Sequence, residues 1–116
     1  MRDVLLQTAG LLAIAAALIH GALGEVKVFP RLVIEPARLR LLMRVVWQAS
    51  TVAWIGCGVL LVAAPAMASD VARHWIIATL ALVFALAAFG NALATRGRHF
   101  GWVALGAVVA LALAGY

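Results

Sequence analysis

Between His20 and Gln48 the chain gathers most of the side chains that can do chemistry: an imidazole (His20), a carboxylate (Glu25), a guanidinium (Arg44), an indole (Trp47) and an amide (Gln48). Asn91 adds a second amide far along the chain. Such groups can hold a small polar moiety by hydrogen bonds and charge, with an aromatic wall beside it. The stretch also carries five of the nine cations and two of the four carboxylates. The single Cys57 can form no internal disulfide. No set of His, Cys and carboxylate residues has zinc-like spacing, so no metal site is expected. Hydrolase nucleophile motifs, phosphate-binding glycine loops and paired catalytic carboxylates are absent. The residue types favour binding over catalysis, and name no cofactor.

The elements that must position these groups are set by hydropathy. Hydrophobic residues make up 67% of the 116, charged residues only 11%, and the mean hydropathy is +1.14. A soluble domain averages about 25% charged residues. The composition therefore predicts a single all-α domain, a four-helix transmembrane bundle, with the lipid bilayer as its surroundings. The formal charge of +5 does not suggest nucleic acid, because the cations sit at the ends of apolar runs, where headgroups lie.

Asp3 and Glu25 enclose 21 uncharged residues, about 30 Å of helix at 1.5 Å per residue, which predicts a spanning helix over 4–24. Met1-Arg2 before an apolar run also has the outline of a signal peptide, but the run exceeds the usual ~7–15 residues and is read as retained. Ala9, Ala13, Ala16 and His20 share one face of that helix. A connection with Pro30 and Pro36 leads to a second helix over 36–64, with Pro36 in its first turn. Arg44, Gln48 and Thr51, at spacings of four and three, give it a polar face directed inward. A third helix is expected over 72–95, with an Ala81, Ala85, Ala88, Ala92 stripe, and Gly97 as its terminator. A fourth, over 100–116, carries Gly106, Ala110 and Ala114 on one side, which predicts self-association into a homo-oligomer.

The first and third connections hold Lys27, Arg31, Arg38, Arg40, Arg96 and Arg98, against Arg2 and Arg73 at the other ends. Six cations against two place these connections in the cytoplasm and both termini on the non-cytoplasmic side. The expected location is a bacterial inner membrane. His20, Glu25, Arg44, Gln48 and Asn91 then fall in one layer of the cytoplasmic leaflet. Polar groups at that depth are costly when unpaired, so they gather.

Several readings of this layer compete. The groups can serve packing alone, with Arg44 reaching headgroups and His20 tying helices together. They can bind a small apolar or amphipathic ligand such as a quinone or lipid headgroup, with Arg44 as cation, His20 and Gln48 as hydrogen-bond partners and Trp47 as a wall. A bis-histidine haem could use only His20 and His99, the two histidines on one side. Another class is an accessory subunit of a larger membrane complex. Four helices in this length resemble the small multidrug resistance exporters, which implies transport through a membrane-embedded glutamate. Here Glu25 lies at a helix end and the charge bias opposes dual insertion. His-Gly-x-x-Gly-Glu (His20, Gly21, Gly24, Glu25) and Arg-x-x-Trp (Arg44, Trp47) resemble a group of uncharacterised four-helix bacterial membrane proteins. In those relatives a histidine often follows the tryptophan; Gln48 stands there here. The resemblance implies a site without naming an activity.

Overall fold

The structure, a computed structural model, describes residues 1–116 and contains four α-helices and no strand: α1 (Arg2–Leu23), α2 (Ala37–Ala63), α3 (Asp70–Thr95) and α4 (Gly101–Ala114). Helix α1 does not stop before Glu25. It runs on through a π turn, Gly24–Val28, and a 3-10 turn, Phe29–Arg31, so the expected long first connection shrinks to a few residues ending at Pro36. Pro36 precedes the first helical residue of α2 in extended conformation rather than occupying its first turn. A 3-10 turn, Ala64–Ala66, closes α2 around Pro65.

Three helical segments, Arg2–Arg31, Ala37–Ala66 and Asp70–Thr95, are long and apolar enough to cross a membrane, which makes this a membrane protein. Large apolar side chains such as Trp75, Phe89 and Leu93 cover the outside. Helix α4 is shorter than the expected 17 residues. Its 14 residues rise about 21 Å, less than the ~30 Å hydrocarbon layer. Helix α3 begins where Ser69 Oγ accepts the Ala72 N–H at 3.2 Å, satisfying one of the free donors of the first turn. At its end Arg96, at φ 53°, takes the left-handed position expected of Gly97, and Gly97 follows at φ 72°. The Gly97 N–H then reaches back to the Ala92 carbonyl at 2.8 Å, a Schellman-type closure.

Helix α1 packs along α2 on one side and against α4 on another, and α4 packs along α3; α2 and α3 scarcely meet. The core lies where α1, α3 and α4 converge, built from Leu6, Ala9, Ala13, Ile77, Phe84 and Val108, with Leu61 from α2. The α1–α2 crossing is set by glycine. A Cβ added to Gly10 would lie 2.5 Å from the Gly58 carbonyl oxygen, and one added to Gly58 would lie 2.7 Å from that of Gly10. Backbones approach this closely in membrane bundles only through small residues. On α4 the buried face is Leu105, Val108 and Ala112. The Gly106, Ala110, Ala114 stripe is not part of it, and a Cβ at Gly106 would meet nothing within 4 Å.

Candidate functional site

The two motifs read from the sequence are the two halves of one helix–helix joint. Where α1 passes into its π turn, the Gly24 N–H is shared between the His20 and Gly21 carbonyls, and each carbonyl has a second lone pair for an outside donor. Helix α2 supplies them. Trp47 Nε1–H donates to the His20 carbonyl at 3.0 Å, and Gln48 Nε2–H to the Gly21 carbonyl at 3.2 Å. Side chains at Gly21 and Gly24 would forbid this approach: a Cβ at Gly21 would lie 2.8 Å from Thr51 Cγ2, and one at Gly24 would collide with the Trp47 indole.

Glu25, carried in the π turn, completes the joint. Its Oε1 accepts from Gln48 Nε2 at 2.8 Å and from Arg44 Nε at 3.0 Å, while Oε2 pairs with Arg44 Nη2 at 2.6 Å. The Arg44 fork therefore meets the carboxylate with two nitrogens, the geometry that gives charge-assisted pairs their strength. The expected inward face of α2 is graded rather than uniform. Thr51 is buried and Gln48 half-buried, but the Arg44 side chain is 57% exposed and does not lie in the interior.

His20 lies on another side of α1. Its ring stacks on Trp47, with centroids 4.1 Å apart and planes 9° from parallel, and tilts against Trp54 at 4.7 Å. Ser50 Oγ–H donates to the Trp47 carbonyl at 2.7 Å, using its one proton. At the 3.2 Å contact with His20 Nε2 the hydroxyl oxygen must then accept and the imidazole donate. A neutral imidazole bonded this way keeps Nδ1 as an unused acceptor. His20 and Gln48, expected to share a hydrogen bond or a bound ligand, bond to separate groups within the protein.

His20, Trp47 and Trp54 wall a cavity of about 250 Å³ whose opposite lining comes from Asn91, Thr95 and His99. The rest of the wall is mainly aliphatic, and exposed Ile19 and Phe100 mark its mouth. Gly101 N–H donates to His99 Nδ1 at 3.0 Å, so a neutral His99 carries its proton on Nε2. Asn91 Oδ1 is buried without a hydrogen-bond partner. Gly101 makes room for these groups, since a Cβ there would lie 2.8 Å from His99 Nδ1 and 3.1 Å from Asn91 Nδ2.

The structure thus sorts the expected site residues into two sets. His20, Trp47 and Asn91 meet at the cavity; Glu25, Arg44 and Gln48 form the joint beside it, and Glu25 and Arg44 face a separate outer groove. Sequence reasoning did not count Ser50 or Trp54 among the site residues, although Trp54 stands seven residues after Trp47, beside the same polar face of the helix. His99 was read only as a haem ligand. Comparison of the chain with protein-family models, with curated proteins and with solved structures finds no match.

Proposed function

We propose that this protein binds the ring-shaped headgroup of a neutral amphipathic molecule, of the quinone class, in the cavity between His20 and Asn91. The observation that carries the reading is the buried, unpartnered Asn91 amide oxygen in a mainly apolar wall. Such a group is costly unless something bonds to it. Around it the cavity is lined by residue types that suit a planar carbonyl- or hydroxyl-bearing ring: the Asn91 amide, the His20 and His99 imidazoles, each with one ring nitrogen that no bond within the protein uses, and the Trp47 and Trp54 indoles. No charged side chain lines the cavity, which favours a neutral ligand over an anionic headgroup. Sites for drug-sized ligands run to ~300–1,000 Å³. The cavity falls just below, room for one ring with its apolar tail leaving past Ile19 and Phe100.

The same reading sets the bundle in a bacterial inner membrane with both termini outside, supported by the six-against-two division of cations. Binding is tested by titrating the detergent-solubilised protein with a short-chain quinone and following tryptophan fluorescence. Saturable quenching is expected, with at least a tenfold weaker affinity in Asn91→Leu. Linear quenching, the same in both proteins, overturns the proposal. Copurification of a stoichiometric second chain without saturable quenching would point instead to a subunit of a larger complex.

A further inference from the structure

A second concavity lies outside the joint, between the π and 3-10 turns that prolong α1 and the first turns of α2. Arg40, Arg44 and Glu25 supply its polar wall, and Phe29, Pro30 and Leu41 its apolar one. Glu25 is already held by Arg44 through two oxygens, so that pair contributes little net charge. Arg40 has no carboxylate. Its Nη2–H donates to the Phe29 carbonyl at 3.1 Å, which fixes the guanidinium across the groove and leaves most of its five N–H donors unused. A carbonyl partner orients a cation without neutralising it.

The surroundings carry the same sign. From Gly24 to Arg44 the chain holds five cations against two carboxylates. Ala37 also lines the groove, at the N-terminal end of α2, where Pro36 provides no side-chain cap and no acidic residue stands in the first turn. This backbone end adds partial positive charge to what Arg40 supplies.

We infer that this groove holds the phosphate of an anionic glycerophospholipid on the Arg40 guanidinium, with the start of an acyl chain against Pro30 and Leu41. The division of the walls selects the ligand. A planar fork suits two phosphate oxygens, and the apolar wall gives an acyl chain a contact that inorganic phosphate lacks. The inference rests on the membrane setting proposed above but not on the quinone cavity, which has a different lining.

Native mass spectrometry of the detergent-solubilised protein with added phosphatidylglycerol or phosphatidylcholine of matched chains tests it. One phosphatidylglycerol should be retained at least tenfold better than phosphatidylcholine, and excess inorganic phosphate should not displace it. Arg40→Gln should remove most of that preference and Arg40→Lys restore only part, whereas Arg98→Gln, in the other basic connection, should keep it. Equal retention of the two lipids by the unaltered protein overturns the inference without recourse to any variant. Equal losses in Arg40→Gln and Arg98→Gln would reduce it to diffuse surface charge, and displacement by phosphate would make it a phosphate site. Each of these results leaves saturable quinone quenching unaffected.

Discussion

The α1–α2 joint and the cavity beside it both set polar side chains against the Trp47 indole, and they differ in how those polar groups are satisfied. In the joint, Gln48 bonds both the Gly21 carbonyl and Glu25, Arg44 meets Glu25 twice, and the Trp47 N–H has the His20 carbonyl. In the cavity Asn91 Oδ1 has no partner, and His20 and His99 each have a ring nitrogen that no bond within the protein uses. A satisfied polar network fixes geometry; an unsatisfied one beside open volume is where a ligand gains affinity. Trp47 belongs to both. Its edge bonds the joint, while its ring stacks on His20 at the cavity wall.

The largest effect should come from breaking the joint at its closest approach. Gly10→Leu places a side chain where the Gly58 carbonyl already stands 2.5 Å from the would-be Cβ. Backbone cannot yield as a side-chain tip can, so the helices must separate. Overpacking typically costs about 1–3 kcal/mol and sometimes more, and this site should reach the upper end. Thermal unfolding in detergent measures the loss. Gly106→Leu, facing open space, should stay within about 0.5 kcal/mol of the parent.

A smaller effect should follow from cutting the polar clasp. Gln48→Leu removes two hydrogen bonds and should cost about 1–3 kcal/mol. Glu25→Ala and Arg44→Ala should each lower the melting temperature modestly, because the Arg44 side chain is 57% exposed and water screens the pair. The double variant should lose less than the sum, as expected for two residues in one contact. Strict additivity would mean that the 2.6 Å pair contributes nothing to the joint.

How far this contrast could be read in advance depended on the range of the signal. Four helices followed from charge-free runs that can be measured against a bilayer. Their ends were harder to place. The prolongation of α1 beyond Glu25 rests on a π turn and a 3-10 turn, which no period-3.6 pattern reveals. Gly10 and Gly58 were invisible as a pair, because only the crossing of two helices defines them. The same reason separates the site residues. Helical periodicity placed Arg44, Gln48 and Thr51 on one face, but how far along the axis burial gives way to exposure depends on the neighbouring helix. Asn91 and His99 joined His20 only through α3 and α4, for which local sequence holds no distance.

The smallest change in stability should be the most telling for function. Asn91→Leu replaces an amide whose Oδ1 is buried and unpartnered with an apolar side chain of similar size. In a joint this would strand a partner; here the oxygen has none to strand. Removing an unsatisfied buried group while leaving no partner behind is close to neutral or favourable, so the variant should melt no lower than the parent and gain up to about 1 kcal/mol. Ligand affinity should fall at the same time, the pattern of a group kept for binding at the expense of stability. His20→Phe provides the matching change on the opposite wall. It keeps an aromatic ring against Trp47 while losing the Ser50 contact and the Nδ1 acceptor, so binding should weaken far more than the melting temperature drops. Should Asn91→Leu instead unfold the protein as readily as Gln48→Leu does, Asn91 would be a packing residue and the two regions would not differ in kind.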